Sequence, residues 1–295
     1  MAIPQIRNLH PMFGAEVVGL DPRSPLDEAT CRRLRSAFDE RGLLLFRDLD
    51  IDLAYQNYLS QMLIGTDSAS IDTSVVPDNV PEYYVSNKEE RGGAPFGRLL
   101  FHSDMMWSEN AFQLLSLYGS RVEQPAVPTL FVSATHAWDT LPDDLRARVK
   151  GRFAVHGHDA TYQKRGGADS DVLVSKFAVN ETAQLPIGHR HPRTGRTMLY
   201  ICQQMTQGIA DMPEKESEEL LEALFEHLYS PEDKVLAHHW RTGDLVLWDN
   251  LALQHARPNV SIEGPTRTLR KTFAPPPRRD RLNINKPQHS LVGNQ

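Results

Sequence analysis

Cysteine is nearly absent. Cys31 and Cys202 are the two in 295 residues, far apart and in no Cys-x-x-Cys pair. That excludes a disulfide-stapled scaffold and points to a reducing compartment. Long apolar runs are also missing, and Met1 to Arg7 holds no apolar core of signal-peptide length, so the expectation is a cytoplasmic protein with no membrane partner. Basic charge is not in excess, since 32 Lys and Arg face 38 Asp and Glu, a formal net charge of -6. Without a polybasic cluster, nucleic acid is excluded as the expected partner and a small molecule is the expected substrate. No internal repeat and no linker-like stretch interrupts the chain. A single domain over residues 1–274 is therefore expected, because β-rich barrels and sandwiches often reach this length as one unit. With 40% hydrophobic and 24% charged residues, there is ample apolar material for a core.

What the chain does carry is His102-Ser103-Asp104, and a second histidine, His255, at the end of the segment Gly243 to His255. Two imidazoles and one carboxylate can occupy one face of a non-haem Fe(II) ion and leave the other positions open for oxygen and a co-substrate. If residues 102–104 are extended, His102 and Asp104 project to the same side and Ser103 to the other. The run Asp244 to Trp248 reads as a buried strand through Leu245, Val246 and Leu247. Asp249-Asn250 is a turn signal after it, which places His255 near a sheet edge or cavity mouth. On the residues alone, other readings stand beside this one. Any of the twelve histidines can be a hydrogen-bonded core or surface residue, the same donor set suits a zinc hydrolase, and a non-catalytic binding protein can retain it.

The coarse organisation is strands with a few flanking helices. Asp27 to Arg41 has Cys31, Leu34 and Phe38 at helical spacing, with Gly42 as its C-terminal stop. Pro213 to Tyr229 places Leu220, Leu221, Leu224, Phe225 and Leu228 on one stripe opposite an acidic run, with Pro213 in the first turn. A third helix is expected near Ala134 to Lys150, restarting internally with Thr140 and Asp143 as a capping box. His156, His158, His189 and His191 are read as structural, and His238-His239-Trp240 as a packing element.

Several segments, taken in order, resemble the taurine dioxygenase and dichlorophenoxyacetate dioxygenase family of 2-oxoglutarate-dependent enzymes. They are Gly14 to Asp21, Gly42 to Arg47, Phe101 to Asp104, His191 to Arg196 with Leu199-Tyr200, and Trp240 to Asp244 leading into Trp248-Asp249-Asn250 and His255. The likeness runs from about Ile6 to Pro275. It implies a double-stranded β-helix (jelly-roll) core in a mainly β protein, a homo-oligomer (dimer or tetramer), and an iron site at His102, Asp104 and His255. Cofactors implied are Fe(II), 2-oxoglutarate as co-substrate and O2, with 2-oxoglutarate decarboxylated to succinate and CO2 while a C–H bond of the substrate is hydroxylated. Related halogenases leave the carboxylate position vacant for chloride, so Asp104 implies hydroxylation. Desaturation, epoxidation or ether cleavage at the same site is the alternative.

The resemblance also implies a 2-oxoglutarate site. Arg267 matches the family arginine that binds the distal carboxylate, a role suited to a guanidinium fork. Alternation over Pro265 to Phe273 puts Arg267, Leu269 and Lys271 on one face and Arg270 on the other. A second family arginine normally follows four positions after the first, and Lys271 stands there. Either Lys271 or a displaced Arg270 takes its place, a solvated strand edge being the other reading for both. Thr129 matches a family threonine on the same carboxylate, although Ala126-Val127-Pro128 replaces the usual glycine pair. For the substrate, Arg98 lies where relatives place a polar contact, and Met105, Met106 and Trp107 would wall an apolar body; a loop-capping arginine is the other reading for Arg98. The stretch 162–186 corresponds to a lid in the family, with an insertion at 164–171 as the alternative. Residues 275–295 read as an extended or disordered tail.

Overall fold

The computed structural model describes residues 4–22, 25–65, 83–90, 92–108, 111–157, 182–230 and 232–274. In chain order the elements are β1 (Gln5–Asn8), β2 (Ala15–Val18), α1 (Glu28–Arg41), β3 (Leu43–Phe46), α2 (Leu53–Leu63), β4 (Tyr83–Ser86), β5 (Gly97–His102), β6 (Leu114–Val122) and β7 (Thr129–Ser133). There follow α3 (Ala134–Asp139), α4 (Asp143–Val149), β8 (Phe153–Gly157), β9 (Thr182–Pro186), β10 (Gly188–Arg190), β11 (Thr197–Leu199) and β12 (Thr206–Ile209). The chain then runs through α5 (Glu214–Tyr229), β13 (Leu236–His238), β14 (Leu245–Asp249), β15 (Leu253–Val260) and β16 (Arg267–Ala274). The protein is mainly β with some helices. No helix among the described residues is long and apolar enough to cross a membrane.

Two sheets carry the architecture. One has seven strands in the order β1-β2-β3-β14-β6-β16-β4, the other four in the order β13-β7-β15-β5. The apolar cluster between them takes Leu43 and Leu45 from β3, Leu115 and Leu117 from β6, Val246 and Trp248 from β14, and Leu269 from β16. Phe131 and Leu253 meet them from the smaller sheet. The intervening positions of the same strands, Leu44, Phe46, Leu245 and Leu247, point outward and pack under α1 and α2 with Leu34, Phe38, Leu59 and Met62. Strands β3 and β14 are covered on both faces, which is why Leu43–Phe46 and residues 245–248 are apolar and buried throughout. On the far side, Leu220, Leu221, Leu224, Phe225 and Leu228 of α5 pack with Leu145 and Val149 of α4 and Val132 of β7.

The helices follow their sequence signals with one difference. Asp27 caps α1 by accepting from Thr30 N at 2.8 Å, and Gly42 ends it at φ 69, a conformation glycine adopts without a Cβ clash. The region 134–150 is two helices, but Thr140 and Asp143 form no capping box. Thr140 closes α3 instead, its hydroxyl donating to His136 O at 2.9 Å, and the residue before α4 is Pro142, which has no side-chain acceptor. Helix α2, capped by Asp52 at Tyr55 N, was not anticipated from the sequence. Of the expected lid stretch, residues 182–186 form β9 against β8, and 162–181 lie outside the described residues, as does the tail 275–295.

Candidate metal centre

Strands β5 and β15 pair antiparallel with His102 directly opposite His255. Side chains opposed across such a pair lean together, and the two imidazole centroids are 4.2 Å apart. His255 is on an interior strand, between β7 and β5, rather than at a sheet edge. Asp104 comes into range by a different route from the one alternation suggests. β5 ends at His102; Ser103 and Asp104 lead into a turn in which Met105 has φ 59. There the Asp104 Oδ1 lies 3.3 Å from His102 Nε2 and 3.7 Å from His255 Nε2. Among the described residues this is the one group of three or more His, Cys, Asp or Glu whose donor atoms all fall within 4.8 Å of one another.

The donor chemistry fits a divalent ion. Ligands at about 2.1 Å from a shared centre stand roughly 3 Å apart in cis positions, close to the separations observed. His102 Nδ1 is 2.7 Å from Leu100 O, so the ring proton sits on Nδ1 and the Nε2 lone pair is free to ligate. Burial, followed by the neighbouring His102, holds His255 well below the usual histidine range, so its imidazole is neutral and able to ligate. Burial alone would raise Asp104, but the Lys271 ammonium beside it outweighs burial and leaves the carboxyl far below its ordinary value. Burial would lower Lys271, yet Asp104 raises it above its ordinary value; the two are an ionised pair, Nζ to Oδ2.

A second polar cluster sits on the same face of β16. Arg267 is 4% exposed and donates from Nε to Val127 O at 3.0 Å and from Nη2 to Thr129 Oγ1 at 3.0 Å. Trp240 Nε1 donates to the same hydroxyl at 2.9 Å, and its ring lies 5.9 Å from the guanidinium carbon. All these partners are neutral, and among the described residues no carboxylate pairs with Arg267. Burial, reinforced by Arg257, pushes its pKa down to about 9. Arg257, also buried, donates to Ala94 O, Phe96 O and Gly97 O at 2.7 to 3.0 Å and so ties down the approach to β5.

Of the residues singled out from the sequence, the structure brings together His102, Asp104, His255 and Lys271, and beside them Arg267 with Thr129. It does not bring Arg270 to them, nor leave it on a solvated edge. Arg270 points to the opposite face, donating to Gln56 Oε1 and Ile51 O at 2.8 Å each, 4.7 Å above the Tyr118 ring. Arg98 is half-buried on β5, where the pairing with β15 shifts register once between His102 and Leu99 and again between Leu99 and Gly97, so simple alternation does not set its direction. Met106 and Trp107 follow the Asp104 turn into an apolar cluster with Met198, Tyr200, Met205 and Leu251. Sequence reasoning missed Asn250, Asp249 and Trp240 as site-supporting residues. The signal for Trp240 was present: the N–H of a buried Trp usually finds an acceptor, and here Thr129 accepts it.

With the geometry in place, comparison with known proteins is informative. Across 276 residues the chain is 25% identical to the alpha-ketoglutarate-dependent 2,4-dichlorophenoxyacetate dioxygenase of Cupriavidus pinatubonensis, covering 89% of this chain and 94% of that one. It is 26% identical over 272 residues to pentalenolactone F synthase of Streptomyces avermitilis, covering 83% and 85%. Among solved structures, a taurine dioxygenase from Burkholderia xenovorans superimposes with a TM-score of 0.72 over 92% of this chain and 90% of that one, at 23% identity, which supports the likeness of fold. The profile of the Taurine catabolism dioxygenase TauD, TfdA family matches residues 5–273, and the chain belongs to that family, as a 2-oxoglutarate-dependent non-haem iron dioxygenase.

Proposed function

We propose that this enzyme hydroxylates an unactivated C–H bond of a small, anionic, amphipathic organic molecule. His102, Asp104 and His255 would hold Fe(II), and the facing seven- and four-stranded sheets are read as the two halves of a jelly roll. Once iron, 2-oxoglutarate and O2 are bound, they supply the oxidising power, with 2-oxoglutarate converted to succinate and CO2. The protein's part is to bind, orient and exclude water. Arg267 offers a buried cation to the distal carboxylate of the co-substrate. Thr129 Oγ1 accepts from both Arg267 and Trp240, which fills its acceptor positions and leaves its own O–H to donate to that carboxylate. Lys271 keeps Asp104 ionised and presents its remaining N–H donors toward an anionic head, with Arg98 as a further cation.

The observation that carries this reading is the juxtaposition of the three donors with a buried arginine that has two of its five N–H donors engaged, one by a carbonyl and one by a hydroxyl, and so keeps donors for an incoming carboxylate. A second reading is supported by the apolar cluster around Met106 and Trp107. In it, the same site carries out desaturation, epoxidation or ether cleavage on a hydrophobic natural product or xenobiotic, a range consistent with relatives named for a chlorinated aryloxyacetate and for a pentalenolactone. Succinate release measured over a panel of carboxylic and sulfonic acids, each paired with its neutral amide, tests the choice. Turnover of acids but not amides supports the anionic class; equal turnover of both contradicts it.

A further inference from the structure

The turn joining β14 to β15 holds the Asp104 main chain from the side. Asn250 is fully buried; its Oδ1 accepts Asp104 N–H at 2.8 Å, and its Nδ2 donates to Asp104 C=O and Phe112 C=O, both at 2.9 Å. Asp104 has left the β5 ladder and stands before a left-handed residue, so no strand partner fixes it. Asn250 supplies both hydrogen bonds that a ladder neighbour would have made.

Asn250 is itself fixed by a buried polar set. Its N–H donates to Gln113 O at 3.0 Å. Next to it, Asp249 Oδ1 accepts the N–H groups of Leu251 and Ala252 at 3.0 Å each. Asp249 Oδ2 meets His191 Nε2 at 2.9 Å and the Arg193 guanidinium, which continues to Asp39 on α1. His191 Nδ1 accepts from Arg193 N and Thr194 N at 3.1 Å. Two donors at Nδ1 place the ring proton on Nε2, where it donates to Asp249. The tautomer is set by the backbone and the turn is set by the tautomer.

We infer that Asn250 is a positioning residue for the metal-ligating carboxylate, seated by the His191, Asp249 and Arg193 set. The inference rests on the metal reading above. A carboxylate placed by a turn rather than by a strand has freedom to rotate away from the two imidazoles, and a bidentate amide clamp on its main chain removes that freedom before metal arrives.

The test uses Co(II) alone, titrated anaerobically into the metal-free full-length protein and followed by its visible absorption, with thermal unfolding of the metal-free protein as a separate readout. Wild type is expected to take up one Co(II). Asn250→Ala is expected to weaken Co(II) binding by about 10- to 100-fold and to change the band shape at saturation. Asn250→Ser, gentler on the turn, should act in the same direction and decides the matter if the alanine variant does not fold. His191→Gln, one layer further out, should weaken binding by less than either. A lower unfolding temperature with unchanged Co(II) affinity and spectrum in the Asn250 variants would overturn the inference while leaving the metal reading intact. Failure of the wild type to bind Co(II) would overturn both.

Discussion

Arg267 and Arg270 are three residues apart on β16 and both are buried, yet their surroundings are opposite. Arg270 faces α2, where Gln56, Ile51 O and the Tyr118 ring meet its guanidinium, and where Ser60, Ser116 and Thr272 extend the polar network. Arg267 faces the other sheet and is held by one carbonyl and one hydroxyl, with Arg257 as a like charge nearby. A buried cation whose hydrogen bonds close within the fold belongs to the fold. Arg267, with two of its five N–H donors engaged and a like charge nearby, keeps donors that an anion can take. On the proposed reading, one strand serves stability on one face and ligand binding on the other.

The largest expected effects separate these two arginines. Arg267→Ala should raise the dissociation constant for 2-oxoglutarate by about 30- to several-thousand-fold, the 2 to 5 kcal/mol typical of losing one partner of a buried charge pair. Calorimetric titration into the metal-loaded enzyme checks this. Arg270→Ala should leave that constant within about twofold and instead lower unfolding free energy by about 3 kcal/mol, since Gln56 and Ile51 O lose their donor. Reversed outcomes would mean that the two faces of β16 are assigned the wrong way round.

A smaller effect is expected from acid. Burial lowers His156 to about 3, far below an exposed histidine, so the unfolded chain binds a proton that the folded chain refuses. Stability from this group is therefore complete above pH 6.5 and falls as the pH drops from there to about 3, by up to about 1.4 kcal/mol per pH unit. Urea unfolding of metal-free protein at pH 7 and pH 4.5 should show His156→Gln losing less stability than wild type. An equal loss would place the acid sensitivity elsewhere. Smallest of all should be Arg98→Gln, because a half-buried cation is partly screened by solvent. About a fivefold rise in KM for an acidic substrate, with 2-oxoglutarate affinity unchanged, is expected.

Much of this was legible in the sequence where local physics and tertiary context agree. The stripe of α5, the Gly42 stop and the buried run of β14 follow from periodicity and turn chemistry alone. The alternation of β16 survived because its register shift against β6 falls on β6, which carries the extra residue between Arg121 and Gly119. Asp104 was harder, since His-x-Asp in an extended strand and His-x-Asp at a strand end place the carboxylate on the same side by different means. The capping box at Thr140 failed because a nearer carbonyl, His136 O, took the hydroxyl. Arg270 reads from the sequence either as a stand-in for the second family arginine or as lying on a solvated strand edge, and the packing of α2, itself not read from the sequence, makes it neither. The Asn250 clamp had no periodic signal at all, being a contact across 146 positions.

The most direct measurement of the account is anaerobic difference absorption after adding Fe(II) and then 2-oxoglutarate to the metal-free protein. Chelation of Fe(II) by a keto acid gives a weak visible charge-transfer band. The account predicts that band in the wild type, its loss in His255→Ala, and its recovery in Arg267→Ala only at much higher 2-oxoglutarate. No band in the wild type at saturating Fe(II) and 2-oxoglutarate, or an unchanged band in His255→Ala, would contradict it.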